Sequence, residues 1–278
     1  MAAAGDQAEA ALDDTIKNHK GKYIAVFEGS VPVGEHARYL TVGAHGETGA
    51  DRVKRVARDA QLVLNAGSCA AFGNLPVASP NPTTAQGIGA FLAAEGIRTP
   101  VINIPGCPMN SISFVGTVLE VVMFGRVPQL DAFSRPQWAY GKRIHDQCER
   151  RGHFDAGEFV ESFNDVDGLK RGLCLYKVGC KGPFTYNNCG IARFNQGASW
   201  PIYAGHGCIG CSEPSFMDAL APFESPVNAR KYGIPGGTDV TADQVGKIAV
   251  GVAAVAMAAH AGATLLRASS DPKGEDQQ

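Results

Sequence analysis

Apolar positions in the first half of the chain come in short runs separated by charged segments. KYIAVFEG places Tyr23, Ile24, Val26 and Phe27 in a run broken by Gly29, which predicts a buried strand. DRVKRVARDA has its charges on one side and predicts a helix, and QLVLNAGSCAAFG predicts a strand running into a glycine-bounded loop. TTAQGIGAFLAAEG then predicts a helix, TPVINIPGCPMN a strand and loop, and SISFVGTVLEVVMFG a further helix. Residues 2–20 are alanine-rich and charged, with no capping residue before them, as in a helix entered part-way. Helices alternating with apolar strands, without tight hairpin signals, argue for an α/β fold with a parallel sheet covered on both faces. In such sheets functional groups gather at the carboxyl ends of the strands.

After about residue 128 the periodicity fades. Residues 128–226 are rich in Gly, Pro, Asn and aromatics, with brief helical pieces such as GHFDAGEFVESF and SEPSFMDAL. So long an irregular stretch is unusual in a compact protein unless an inorganic body ties its distant positions together. Beyond it, a linker like NARKYGIPGGTDVTADQ leads to Ile248–Leu266, bounded by Lys247 and Arg267 and followed by the polar tail SSDPKGEDQQ. The apolar segment is long enough to cross a bilayer. It is also mostly Ala and Gly, with His260 near its middle, so a soluble helix packed on a partner fits equally. The expected division is 1–127, 128–226 and 227–278.

With 278 residues, 45% of them hydrophobic, the chain can bury a large core. A formal net charge of -2 with scattered Lys and Arg leaves no basic field for phosphates, so no nucleic-acid partner is expected. The opening MAAAGDQAEAAL has neither the basic start nor the apolar stretch of an export peptide.

Eight cysteines change the picture. In a chain this long they do not resemble the framework of a small secreted domain, and metal or redox work is the better explanation. Between His145 and Cys211 lie HDQC (His145 to Cys148), CLYKVGC (Cys174 to Cys180), NNC ending at Cys189, and CIGC (Cys208 to Cys211). Spacing two residues apart lets neighbouring side chains reach one ion or cluster but is cramped for a structural disulfide. The surrounding glycines supply backbone that folds tightly around an inorganic body, as in iron–sulfur sites. Cys69 and Cys107 each lie just past an expected strand end, flanked by Gly67, Gly73, Pro105, Gly106 and Pro108. Two loops would thus present thiolates at one sheet edge, although two small core residues would show the same positions. Zinc sites at His145/Cys148 and Cys208/Cys211, in a binding module, remain an alternative, as does the iron–sulfur subunit of another oxidoreductase. No convincing nucleophile–base pair is present.

AGSCAAFG, INIPGCPMN, HDQCERRGHFDAGEFVESF, GLCLYKVGCKGPFTYNNC and FNQGASWPIYAGHGCIGCSEPSFMD, in this order from about residue 20 to 225, resemble the small, electron-transfer subunit of nickel–iron hydrogenases. The resemblance implies a flavodoxin-like parallel-sheet domain, N-terminally incomplete, then an irregular, mainly loop and short-helix iron–sulfur domain and a C-terminal apolar helix. It implies a distal 4Fe-4S cluster at His145, Cys148, Cys174 and Cys180, and a medial 3Fe-4S cluster at Cys189, Cys208 and Cys211, with Pro201 where a fourth ligand is lacking. Cys69 and Cys107 would be half the ligands of a proximal 4Fe-4S cluster. The family's other two, a C-x2-C near its start, are absent, and the opening helix resembles an internal one, so a misplaced start is expected at Met1. Asn74 stands where oxygen-tolerant members carry an extra cysteine, which points away from that class.

By the same resemblance, the partners are a large subunit holding the nickel–iron centre and an external carrier, a cytochrome or quinone-linked protein, with possible membrane association through 248–266. Location would be the cell envelope, membrane-associated or periplasmic, with the cytoplasm open because the export-signal region is absent. His153 and His206 are expected to be local hydrogen-bonding groups, and Trp200, Phe194 and Phe216 to be packing around the medial cluster. Glu28, Glu158 and Glu213 are expected to be solvated or capping carboxylates.

Overall fold

Three strands, Ile24–Glu28 (β1), Leu62–Ala66 (β2) and Val101–Ile104 (β3), form a parallel sheet in that order in the computed structural model, which describes residues 3–226, 231–234 and 238–270. The central strand β2 is buried along its whole length. Because successive side chains point to opposite faces, its residues divide between two cores. Val63 joins Ala25, Val53, Ala57, Phe91 and Leu92 on one face. Leu62 and Leu64 join Ile102, Ile104, Val121 and Tyr140 on the other. Fully burying each of these larger aliphatic side chains contributes about 1.5–3 kcal/mol.

Helices supply both coverings. Gly5–Asn18 (α1) buries no residue. It is held instead by Glu9, which pairs with Arg52 at 2.7 Å, and by Asp13, which pairs with Arg55. Gly49–Arg58 (α2) starts at Thr48, whose hydroxyl accepts the Asp51 N–H at 3.1 Å, and lays Val53 and Ala57 on the first core. Ser68–Phe72 (α3) follows β2 directly, and Ile88–Ala94 (α4) adds Ile88, Phe91 and Leu92 to the same core. Ser111–Phe124 (α5) covers the opposite face through Phe114, Val118 and Val121. It opens on Asn110, whose side chain accepts the Ile112 N–H at 2.9 Å, and closes on the left-handed Gly125.

Three local expectations are revised. The helix expected over TTAQGIGAFLAAEG is confined to α4. Upstream, Gln86 exchanges both backbone hydrogen bonds with Val31, at 2.9 Å each, so these groups are spent on a bridge. GHFDAGEFVESF is helical only within Arg151–Asp155. Beyond it the Glu158 carbonyl accepts the Cys174 N–H, and the Val160 N–H donates to the Cys174 carbonyl at 2.9 Å. A small antiparallel pair, Thr41–Val42 with Glu47–Thr48, was not signalled by the hydrophobic pattern.

Residues 1–225 gather in one compact unit and 226–278 in another. Within the first, a third core of Ile144, Val160, Leu173, Leu175, Val178, Trp200 and Ile202 includes Cys180, Cys189 and Cys208. Most of this region is turns and short helices, as its Gly and Pro content predicts. The second unit has an antiparallel pair, Lys231–Ile234 with Thr238–Thr241, and the helix Ala242–Ser270. Within that helix, Val245–Arg267 is long and apolar enough to cross a membrane by length and composition. Of the expected linker, 227–230 and 235–237 lie outside the described residues, as do 271–278 of the polar tail.

Candidate metal-cluster sites

Register explains the meeting of Cys69 and Cys107. Ala66 pairs with Ile104, and each cysteine follows its strand by the same number of residues. Gly67 donates to the Ile104 carbonyl at 2.9 Å and Ser68 to the Gly106 carbonyl at 3.0 Å, so the two loops leave the sheet side by side. The Cys69 thiol is raised by burial, with the Asn74 amide opposing and the Cys107 thiol and Glu28 carboxylate adding to the rise. Asn74 donates to Cys69 Sγ at 3.5 Å. Cys107 is exposed.

His145, Cys148, Cys174 and Cys180 line one cavity, together with Arg150, Leu175 and Ile202. Burial pushes the Cys148 thiol up to about 11 and also raises those of Cys174 and Cys180. Opposing it are backbone N–H groups: Arg150 N to Cys148 Sγ at 3.4 Å, Gly182 N to Cys180 Sγ at 3.5 Å and Cys208 N to Cys180 Sγ at 3.3 Å. The Arg150 guanidinium, buried with its Nη1 on the Leu173 carbonyl at 2.7 Å, favours the Cys174 and Cys180 thiolates. Burial first, then Arg151, lowers the His145 pKa, which favours the neutral imidazole. Its ring packs edge-on against Phe154 at 4.5 Å.

Cys189, Cys208 and Cys211 form the next group. Burial pushes Cys189 up to about 12 and Cys208 well above the ordinary thiol range. Cys211 is raised by burial, with a hydrogen bond from the Cys107 backbone opposing the rise. Gly210 N donates to Cys208 Sγ at 3.4 Å. Gly207 lets this loop approach: a Cβ there would stand 2.9 Å from the Cys180 Cα. Trp200 is buried in one core with Cys180, Cys189 and Cys208 and directs its indole N–H to Glu149 at 3.3 Å.

The thiols make an unbroken series. Each interacts electrostatically with the next, from Cys69 to Cys107, Cys211, Cys208 and Cys180, with Cys189 beside Cys211 and with Cys148 and Cys174 beside Cys180. All eight cysteines are free. Among the described residues, no three His, Cys, Asp or Glu side chains converge closely enough for a single metal ion. The sulfurs of Cys148, Cys180 and Cys208 receive backbone N–H groups, as thiolates around an iron–sulfur cluster do.

Several supporting residues gave no sequence signal. Arg135, 2% exposed, pairs with Asp131 at 2.7 Å and Glu213 at 3.0 Å and donates to the Ser212 carbonyl beside Cys211 at 2.9 Å. Glu213, expected to be solvated or capping, is thus bonded inside the fold and also accepts the Tyr186 N–H at 2.6 Å. Tyr140 donates to the Pro105 carbonyl at 2.8 Å. His153 and His206 make the expected local contacts, to Glu158 at 2.6 Å and the Gly207 carbonyl at 2.8 Å.

Comparison with known proteins agrees. Residues 140–224 match the family described as the C-terminal part of the NiFe/NiFeSe hydrogenase small subunit, and residues 2–121 match NADH ubiquinone oxidoreductase, 20 Kd subunit. The quinone-reactive Ni/Fe-hydrogenase small chain of Wolinella succinogenes is 52% identical over 94% of this chain and 73% of its own length. An uptake hydrogenase small subunit of Azotobacter vinelandii is 44% identical over 96% of this chain and 72% of its own. The crystal structure of a reduced, active Ni-Fe-Se hydrogenase from Desulfomicrobium baculatum superposes with a TM-score of 0.75 at 32% identity, over 81% of this chain and 84% of that one. With the fold, the thiol series and these relatives in agreement, the chain belongs to the small-subunit family of nickel–iron hydrogenases, the electron-relay subunits of hydrogen-converting oxidoreductases.

Proposed function

We propose that this chain relays electrons through three sites: Cys69 and Cys107 toward a large subunit, Cys189, Cys208 and Cys211 in the middle, and His145, Cys148, Cys174 and Cys180 toward an external acceptor. The observation that carries the reading is the cavity lined by His145, Cys148, Cys174 and Cys180, joined to the middle group by the Cys208 N–H on Cys180 Sγ at 3.3 Å. A four-iron cluster suits the four-donor cavity, and a three-iron cluster suits the three thiols of the middle site. Clusters held there supply states that take up and give back one electron. The chain's own residues fix the thiols, bury those of Cys174, Cys180, Cys189 and Cys208, and lower the charge at the outer end, where neutral His145 replaces one thiolate. Cys69 and Cys107 are the two proximal ligands this chain offers. The division into a sheet domain, 1–127, and a cluster domain, 128–226, follows the same logic.

The reading includes a partner large subunit with the nickel–iron centre and a quinone-linked or cytochrome acceptor. The Wolinella succinogenes relative is named quinone-reactive, and the apolar stretch Val245–Arg267 suits a membrane-associated enzyme of the cell envelope. The test is electron paramagnetic resonance on the complex, produced with its large subunit, for wild type, Cys148→Ala and Cys189→Ala. Each substitution is expected to abolish or convert one signal, spare the other and slow H2-driven reduction of an external dye. Cluster signals unchanged in both variants would refute the ligand sets.

A further inference from the structure

Ser68 is 2% exposed and lies where three cysteine loops meet. Its hydroxyl accepts the Gly106 N–H at 2.8 Å and donates to the Cys211 carbonyl, while its own N–H donates to the Gly106 carbonyl at 3.0 Å. Only a group that accepts and donates at once can make both hydroxyl bonds, and alanine can make neither. The residue after Ser68 is Cys69, the residue after Gly106 is Cys107, and the residue before Cys211 is Gly210, whose N–H donates to Cys208 Sγ at 3.4 Å. One hydroxyl therefore ties the Cys69 loop to the Cys107 loop and both to the Cys211 loop. It also holds the loop whose Gly210 N–H reaches the Cys208 sulfur.

We propose that Ser68 is a positioning residue that sets the electron affinity of the cluster at Cys189, Cys208 and Cys211, by holding the Cys211 carbonyl and so keeping the Gly210 N–H on the Cys208 sulfur. The inference rests on the cluster reading above. A hydrogen bond at a ligand sulfur stabilises the reduced, more negative state, so it raises the reduction potential. Partners of this kind tune a metal site without touching the metal. Removing the hydroxyl leaves the buried Gly106 N–H and the Cys211 carbonyl without their partner and frees the Cys211 loop, so the Gly210 N–H···S contact lengthens and the potential falls.

The experiment uses the anaerobically purified complex with its large subunit, as wild type, Ser68→Ala and Ser68→Thr. Iron and sulfide are measured on each, followed by a redox titration monitored by electron paramagnetic resonance. The middle signal is identified by its loss or conversion in Cys189→Ala, and the outer signal, lost in Cys148→Ala, is the internal reference. The expected result for Ser68→Ala is an electron affinity of the middle cluster lower by roughly tenfold, about 59 mV for a one-electron couple. The outer cluster stays unmoved, and Ser68→Thr, which keeps the hydroxyl, restores the wild-type value. An unmoved middle potential at full iron content, or an equal shift of both clusters, overturns the inference. Should Ser68→Ala fail to assemble, Ser68→Thr decides: a wild-type potential supports the role, and a tenfold loss despite the hydroxyl overturns it. Wild-type protein without iron and sulfide overturns the cluster reading itself, a result distinguishable from the others.

Discussion

Replacing Arg135 with alanine removes the one cation among Asp131, Glu213 and the Ser212 carbonyl. Its side chain is 3% exposed, and those of Asp131 and Glu213 are 20% and 14% exposed, so both carboxylates are left largely out of water without their partner. Breaking a buried pair in this way costs about 3–5 kcal/mol. Contacts of the guanidinium with Phe133 at 5.1 Å and Tyr140 at 5.6 Å are lost as well, each contributing about 0.5–1 kcal/mol or more. For a unit of this size each kcal/mol moves the midpoint by about 2–4 °C, so Arg135→Ala, losing about 4–7 kcal/mol in all, is expected to lower it by roughly 8–28 °C. The control is Lys177→Ala, which breaks a surface pair with Glu161 whose side chains are 45% and 65% exposed. Such pairs contribute about 0–1 kcal/mol. The assay is anaerobic thermal unfolding of the complex followed by near-ultraviolet dichroism and visible absorbance. Because Ser212 adjoins Cys211, absorbance of the middle cluster is expected to bleach before the bulk transition in the Arg135 variant. A midpoint lowered no further by Arg135→Ala than by Lys177→Ala would contradict the role given to this residue.

In the cluster-free chain, the Cys148 thiol pushed up to about 11 is almost wholly protonated at pH 8, with a thiolate fraction of roughly one in a thousand. Its alkylation, followed by peptide mass spectrometry, is expected to accelerate up to about pH 11 and to lag far behind that of exposed Cys107 at pH 8. The same shift means that the folded chain keeps a proton the unfolded chain releases. Stability from this group is therefore complete below the ordinary thiol range and lost as pH rises through about 11, which urea midpoints against pH will check. Gly207→Ala drives a Cβ to 2.9 Å from Cys180 Cα and 3.0 Å from its N, where backbone cannot give way cheaply. It is expected to cost about 1–3 kcal/mol and to lower iron content, whereas Gly152→Ala, with open space at its Cβ, leaves iron content unchanged. Deleting 242–270 is expected to move the complex from the membrane fraction to the soluble one, and an unchanged distribution would dismiss the anchor.

The sheet was legible because strands β1, β2 and β3 are short apolar runs that nothing else in the first half imitates, and their ends put Cys69 and Cys107 where two loops share an edge. The cysteines of the second half stood out by number and spacing. What periodicity could not show was backbone pairing between distant segments. Gln86 is consumed by Val31, and Glu158 and Val160 by Cys174, and each pairing shortens a helix that composition alone would extend. Ser68, Arg135 and Tyr140 were invisible for a related reason. A buried hydroxyl, guanidinium or phenol acquires its meaning from carbonyls and N–H groups brought to it by tertiary packing, and these leave no mark at any spacing in the chain.

The most direct test of the relay is metal and sulfide analysis of the anaerobically purified complex. The account predicts about seven irons with matching sulfide from the two cysteine-rich sites, and more when the Cys69 and Cys107 site is filled. Zinc without sulfide would contradict it.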